Sequence, residues 1–294
     1  MGDRLGVRAA LAHRYALIAI FGACSLCAVI IGAYICARNG VPSALWLRNL
    51  AAWGVGALFA FGLSFVRRRE MLHVALWAMP LALLATFLSP PQEGVHRWID
   101  AGLLHINAAM LTMPASVVAF AMLARDRVLP WGALFASLLL LVLQPDASQA
   151  TTLAAILVVA SVISPARRLL RTGTFAGAFL LAVVAWFQRD PLQPVPEVED
   201  VIELAFATAP MLAIAALVAL ALTVIGPGLA ARSQPLTPRV AGWALSLCFL
   251  GWIATTFVGA YPVPWVGIGL SPIIGAWLGI GLHVGSAAAT ASDA

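Results

Sequence analysis

A chain of 294 residues in which 62% are hydrophobic and only 10% are charged has more apolar surface than the core of a water-soluble domain could bury. The mean hydropathy of +0.97 agrees with this, so a soluble globular protein is excluded. The net charge of +5 is compatible with a nucleic-acid partner. However, all the basic residues are arginines, and they fall in short clusters between apolar runs. Orientation in a bilayer explains such clusters, and we therefore expect a polytopic membrane protein with no nucleic-acid partner.

Apolar segments bounded by charge, proline or glycine follow one another along nearly the whole chain, and ten of them are predicted to be membrane helices. They cover approximately residues 15–37, 45–66, 71–89, 106–124, 129–147, 149–164, 172–188, 203–225, 240–260 and 264–284. The predicted fold is an all-α transmembrane bundle of about ten helices in a single domain, residues 15–284. We expect a cytoplasmic N-terminal segment over residues 1–14 and a short disordered tail over residues 285–294.

Arginine clusters predict the orientation of this bundle. With the N-terminus inside, alternate loops contain most of the arginines, as is typical of a cytoplasmic face. These are Arg4, Arg8, Arg14, Arg67, Arg68, Arg69, Arg125, Arg127, Arg167, Arg168, Arg171, Arg232 and Arg239. Both termini are then cytoplasmic, and most acidic residues face outwards together with Arg38, Arg48, Arg97 and Arg189. The polar loops 94–107 and 188–200 are predicted to lie on this outer face.

The loop 94–107 contains Arg97 beside Trp98. A guanidinium at the headgroup level would suit a phosphate or pyrophosphate of a membrane-anchored substrate, because its donors form a rigid fork and its charge is permanent. The alternative is an interface anchor, with Trp98 in the aromatic belt. His96 and His105 stand apart across a loop that we expect to be irregular, and their spacing specifies no metal site.

The loop 188–200 ends in a cluster of acids around Asp200. Glu197, Glu199 and Glu203 surround it, and clustered carboxylates repel, so one of them can have a raised pKa and act as a general base on a hydroxyl. The alternative is a solvated loop in which Asp200 caps the next helix. Asp146, after Gln144 and Pro145, is predicted to cap the helix that follows it.

Small residues recur every four positions near the C-terminus, at Gly267, Ser271, Gly275 and Gly279. This spacing places them on one face of a helix. Small side chains allow helices to approach closely in lipid, so we expect this face to be a packing surface.

Four short motifs occur in the order and topology of a known family. They are Gly94-x-x-Arg97-Trp98-Ile99-x-x-Gly102 with Ile106-Asn107, then Gln144-Pro145-Asp146, then Pro196-Glu197-x-x-Asp200-x-Ile202, and finally Pro264-x-x-Gly267-Ile268-x-Leu270. Together they resemble the signatures of the FtsW/RodA/SpoVE family, the SEDS proteins of bacterial shape, elongation, division and sporulation. The third motif is one residue shorter than in the family, so either Asp200 or Glu199 is the equivalent carboxylate.

The resemblance implies a peptidoglycan glycosyltransferase that polymerises lipid II at the outer face of the bacterial cytoplasmic membrane, in cell-wall synthesis, division or shape. It implies a class B penicillin-binding protein as partner. Asp200, with Glu199 as the alternative, would be the catalytic carboxylate. Arg97, Trp98, Asn107 and Asp146 would bind the substrate, and Arg97 or a divalent cation would stabilise the departing pyrophosphate.

Two charged positions of the family pattern are apolar in this chain. Where the family has Gln-Pro-Ser-Glu-x-x-Lys, residues 107–113 read Asn-Ala-Ala-Met-Leu-Thr-Met, so Met110 and Met113 replace the glutamate and the lysine. Charged residues inside a membrane are costly and are normally functional. This departure favours an alternative, a non-catalytic SEDS paralogue that binds lipid-linked precursor or scaffolds a penicillin-binding protein.

Overall fold

Helices dominate the computed structural model, which describes residues 2–66, 69–102, 104–124, 127–188 and 190–292. The elements are α1 Gly2–Arg38, α2 Ser43–Ser64, α3 Arg69–Thr86, β1 Trp98–Ala101, β2 Leu104–Asn107, α4 Ala108–Leu123, α5 Leu129–Leu143, α6 Ala147–Ile163, α7 Arg168–Phe187, α8 Val201–Thr208, α9 Pro210–Ala231, α10 Leu236–Thr256 and α11 Leu270–Ser292. Within the described residues, six helices are long and apolar enough to cross a membrane, and α4, α5 and α6 are shorter apolar helices. The predicted transmembrane bundle is confirmed. Arg67, Arg68, Arg125 and Arg189, which entered the predicted orientation, lie outside the described residues.

The segment predicted over residues 203–225 is divided between two helices. α8 ends at Thr208, Ala209 is extended with φ −164° and ψ 118°, and α9 begins at Pro210. Proline has no backbone N–H and a fixed φ, so it fits the first position of a helix and not its interior. The short helix α8 packs against α1 and α9 and is preceded by the whole of the predicted loop 188–200.

Helices extend to both ends of the described chain. α11 continues to Ser292, although the tail over residues 285–294 was expected to be disordered, and α1 begins at Gly2 within the N-terminal segment 1–14. Alanine fills most of residues 287–291, and alanine has the highest helix propensity of any residue. Helix propensity thus accounts for the helical backbone of this tail.

The small residues of α11 face α4, as their spacing predicts. A Cβ atom added at Gly275 would overlap the carbonyl oxygen of Met110, and one added at Gly279 would lie 2.7 Å from Pro114. Ser271 accepts a hydrogen bond from the backbone N–H of Asn107 at 2.9 Å. Gly267, however, precedes α11 and lies in the loop 257–269, so its assignment to this helix face is wrong.

We expect Gly275→Ala to lower the free energy of unfolding by about 2–3 kcal/mol, because the new methyl group meets a backbone carbonyl that cannot rotate away. Gly226→Ala is the matched control, since Gly226 is also helical and has open space where its Cβ would be. That change should be neutral or stabilising by up to about 1 kcal/mol. Thermal unfolding of both variants in detergent measures the difference, and equal melting temperatures would contradict the close contact of α11 with α4.

The region 94–107 is ordered as a β-hairpin, not as the irregular loop that we predicted. β1 and β2 are antiparallel with Trp98 opposite Asn107 and Asp100 opposite His105, and Gly102 occupies the turn with φ +68°. The backbone oxygen of Arg97 accepts a bond from the N–H of Ala108 at 3.2 Å, so the hairpin leads directly into α4. The first turn of α4 and the start of α11 thus fix the position of the hairpin.

Backbone hydrogen bonds join the loop 188–200 to the loop 257–269. Val263 donates to the oxygen of Val198 at 3.0 Å, and Ile268 donates to the oxygen of Glu197 at 3.0 Å. The buried side chain of Asn49 donates to the oxygen of Gly267 at 2.9 Å and accepts from the N–H of Gly269 at 3.1 Å. These contacts hold the acidic end of the loop 188–200 on the bundle.

Candidate functional site

Arg97 is buried at the base of the hairpin, with 7% of its surface exposed. Its Nη2 donates to Oδ2 of Asp190 at 2.8 Å and to the backbone oxygen of Pro145. Its Nε lies 4.0 Å from Oδ2 of Asp146. The guanidinium therefore connects three segments that are far apart in sequence, namely the hairpin, the α5–α6 connection and the loop 188–200.

Asp146 is the N-cap residue of α6, as predicted. Its carboxylate accepts a hydrogen bond from the N–H of Gln149 at 3.1 Å. Burial raises the pKa of Asp146, and the charge of Arg97 acts in the opposite direction. The preceding Gln144 is also buried and donates to Oγ1 of Thr86 at 2.6 Å and to the oxygen of Leu83 at 3.0 Å, which ties this connection to the end of α3.

Asp190 and Tyr261 complete this polar cluster, and sequence analysis singled out neither. Asp190 is the closest carboxylate to Arg97, and its other oxygen accepts a bond from the N–H of Leu192 at 3.2 Å. Tyr261 is 7% exposed, and burial together with the negative charges of Asp146 and Asp190 raises its pKa to about 12. The only sequence signal for Asp190 as a site residue was its place among the acidic residues predicted to face outwards. Tyr261 lies in an apolar stretch, and no sequence signal marked it as a site residue.

Two adjoining cavities open beside this cluster. The inner one holds about 50 Å³ and is lined by Arg97, Asp146, Asp190 and Tyr261. The outer one holds about 560 Å³ and has one face of the hairpin as a wall, because the β register places Trp98, Asp100, His105 and Asn107 on the same side. Trp98, Asn107, Met110 and Glu199 line both cavities.

The two candidate carboxylates at the end of the loop 188–200 have different positions. Glu199 lines both cavities, and its Oε2 accepts a hydrogen bond from the N–H of Val195 at 2.7 Å. Burial, with smaller contributions from the negative charges of Asp200 and Glu197, raises the pKa of Glu199 to about 7. Asp200 occupies the N-cap position of α8 without a side-chain cap hydrogen bond, and it lines neither cavity.

Asn107 and Met110 line the base of the outer cavity, and Met113 lies in the core beneath it. The side-chain oxygen of Asn107 accepts a bond from the N–H of Met110 at 2.9 Å and so caps α4. Met110 lines both cavities, whereas Met113 is completely buried in the core. The first departure from the family pattern therefore changes a cavity wall, and the second changes the packing below it.

The carboxylates of the cluster are engaged by groups of the protein itself. No group of three His, Cys, Asp or Glu side chains suited to a metal occurs among the described residues. Asp190 is paired with Arg97, and Asp146 is bonded to the start of α6. As folded, Arg97 is also engaged by two carboxylates, so a substrate phosphate would have to compete with them.

Solved structures share this fold, although no family model and no curated protein sequence matches the chain. An aspartate-to-alanine mutant of the rod shape determining protein RodA of Thermus thermophilus has a TM-score of 0.66 at 19% identity, over 93% of this chain and 97% of that chain. The unmutated RodA has a TM-score of 0.61 at 20% identity, over 93% and 96%. A chain from a peptidoglycan synthase complex that coordinates polymerization and crosslinking has a TM-score of 0.61 at 20% identity, over 93% and 97%. The chain thus has the RodA fold of a multi-pass membrane protein.

Proposed function

We propose that this protein is a SEDS-type glycosyltransferase that polymerises lipid II at the outer face of the bacterial cytoplasmic membrane. The observation that carries the proposal is Glu199, a carboxylate with a pKa of about 7 on the wall of an outer cavity of about 560 Å³. A pKa near the working pH is the property that a general base needs. The RodA fold and the four motifs support the substrate class.

In the proposed reaction Glu199 accepts the proton of the acceptor hydroxyl. The hydroxyl oxygen forms a bond to the anomeric carbon of the donor sugar on the face opposite the lipid pyrophosphate, whose bond to that carbon breaks. The pyrophosphate leaves with the bonding electrons, and the anomeric configuration inverts. Trp98 on the hairpin offers an aromatic wall to the sugar rings in the outer cavity.

Arg97 has a positioning role in this proposal. It holds the α5–α6 connection and the start of the loop 188–200 against the hairpin through Pro145, Asp146 and Asp190. This arrangement supports the wall on which Glu199 lies. Asp200 remains the competing candidate for the base, because the shortened motif allows either carboxylate to be the family equivalent.

The second candidate function is a non-catalytic paralogue that binds the lipid-linked precursor or scaffolds a penicillin-binding protein. Met110 on the cavity wall favours it, since a thioether can neither transfer a proton nor bind a phosphate by charge. The similarity to a chain of a peptidoglycan synthase complex supports a class B penicillin-binding protein as partner in either case.

Purified protein supplied with lipid II and a class B penicillin-binding protein tests the proposal. We expect glycan chains on a gel that resolves polymer from lipid II. Binding of lipid II without any polymer would support the non-catalytic alternative, and absence of both binding and polymer would reject the substrate class itself.

A further inference from the structure

A second cavity, of about 270 Å³, lies at the opposite end of the bundle from the candidate site, where α4, α6 and α10 meet. Its walls are the last turns of α4 and α6 and the first half of α10. The lining side chains are almost all apolar and include Phe120, Ile156, Val159, Ile163, Val240 and Leu247. Arg239 is the one charged residue among those that line it.

Arg239 lies in the first turn of α10 and is exposed. None of the ion pairs found among the described residues involves it. The N-cap residue of α10 is Pro235, which provides no side-chain cap, and the first turn contains no acidic residue. Pro238 has no backbone N–H, and the N–H of Arg239 donates to the oxygen of Pro235 at 3.0 Å, so Leu236 and Thr237 supply the remaining N–H groups of this first turn. These two groups and the helix dipole add to the charge of Arg239 and favour an anion at the mouth of the cavity.

The lining residues of α10 extend along most of one membrane leaflet. Arg239, Trp243 and Leu247 follow one another at four-residue spacing on one face of α10, a distance of about 12 Å along the helix. Half of the hydrocarbon thickness of a bilayer is about 15 Å. The ring of Trp243 lies on Gly228 of α9, where an added Cβ would overlap it, so this wall is fixed by packing. The cation at one end would face the phosphate of a phospholipid, and the apolar groove would accommodate one of its acyl chains.

We propose that this groove binds an acyl chain of an anionic phospholipid from the cytoplasmic leaflet, with the lipid phosphate held by Arg239 and the start of α10. The arginine clusters predict that this end of the bundle is cytoplasmic, and anionic lipids of that leaflet attract basic residues beside membrane helices. The site is separate from the glycosyltransferase proposal and does not depend on it.

Native mass spectrometry of the full chain, titrated with phosphatidylglycerol and separately with phosphatidylcholine, tests the site. We expect one phosphatidylglycerol to bind more tightly than any phosphatidylcholine, and Arg239→Gln to weaken that binding about five-fold. Arg232→Gln is the matched control, because Arg232 is an exposed arginine of the same connection that does not line the groove, and it should leave the affinity unchanged. Ala244→Phe keeps the charge but fills the groove, and it should also remove the tight site.

Four results would each overturn the proposal. Equal affinities for the two lipids would show that charge does not contribute to binding. Equal losses of phosphatidylglycerol affinity in Arg239→Gln and Arg232→Gln would show general attraction to a basic surface. Unchanged binding in Ala244→Phe would show that no chain enters the groove. Displacement of phosphatidylglycerol by soluble glycerol 1-phosphate would show a phosphate site without a lipid site. Thermal unfolding of Ala244→Phe verifies that the variant remains folded during the measurement.

Discussion

Replacing Glu199 by glutamine is expected to reduce the rate of lipid II polymerisation at least about a hundred-fold, because the amide cannot accept the proton of the acceptor hydroxyl. Glutamine retains the size of the side chain and can still accept a hydrogen bond from the N–H of Val195. Asp200→Asn is the matched control, one residue along the chain and outside both cavities. It should leave the rate close to that of the wild type. A rate lost in Asp200→Asn and kept in Glu199→Gln would identify Asp200 as the base.

The pH profile separates a base from a residue that only shapes the cavity. In the proposed mechanism the ionised form of Glu199 is the active one, so the wild-type rate should rise with pH, level off above about 7, and fall about tenfold per pH unit well below that value. The residual activity of Glu199→Gln should lack this acidic limb, that is, the fall in rate below about pH 7. In Asp200→Asn the limb should move to lower pH, because removing a neighbouring negative charge lowers the pKa of Glu199. An unmoved limb in both variants would contradict the assignment.

The membrane helices could be predicted from sequence because their signal is local. A sufficiently long run of apolar residues predicts a membrane helix without any distant partner, and the predicted cap Asp146 bonds to a residue only three positions away. Asn107, which was predicted to bind substrate, caps α4 over the same distance. The division at Pro210 was also visible in principle, since a proline within the predicted segment 203–225 is a recognised breaker. The β-hairpin was missed because its strands are only four residues long: β1 lacks an apolar–polar alternation, and the alternation in β2 is too short to predict a strand by itself.

The partners of the candidate site could not be predicted in the same way. Asp190 is 93 residues from Arg97 along the chain, and their pairing exists only because the loop 188–200 returns to the hairpin. The choice between Asp200 and Glu199 depends on the path of a loop that has no periodicity, where a shift of one residue turns a side chain into or out of the cavity. Tyr261 belongs to the polar cluster only because the fold buries it beside Asp146 and Asp190. Its neighbours in sequence are apolar and give no sign of this position.

Replacing Arg97 by methionine should lower the free energy of unfolding by about 3–5 kcal/mol, because it leaves the buried carboxylate of Asp146 without its positive partner. Adding Asp146→Asn to this variant should recover much of the loss, since the amide is neutral and needs no counter-charge. Arg48→Met is the control for loss of an exposed arginine and should change stability by no more than about 0.5 kcal/mol. Thermal unfolding of the single and double variants in detergent provides the comparison.

The double-variant cycle distinguishes an ion pair from simple packing. If Arg97 acts through charge, the effects of Arg97→Met and Asp146→Asn will be strongly non-additive, with a coupling of about 1–3 kcal/mol. If its apolar stem alone matters, the two effects will add. Asp190→Asn should couple less strongly, because 27% of the Asp190 side chain is exposed and water screens its charge. Additive effects at both carboxylates would mean that the guanidinium does not hold the loop 188–200 in place, and the wall that carries Glu199 would need another support.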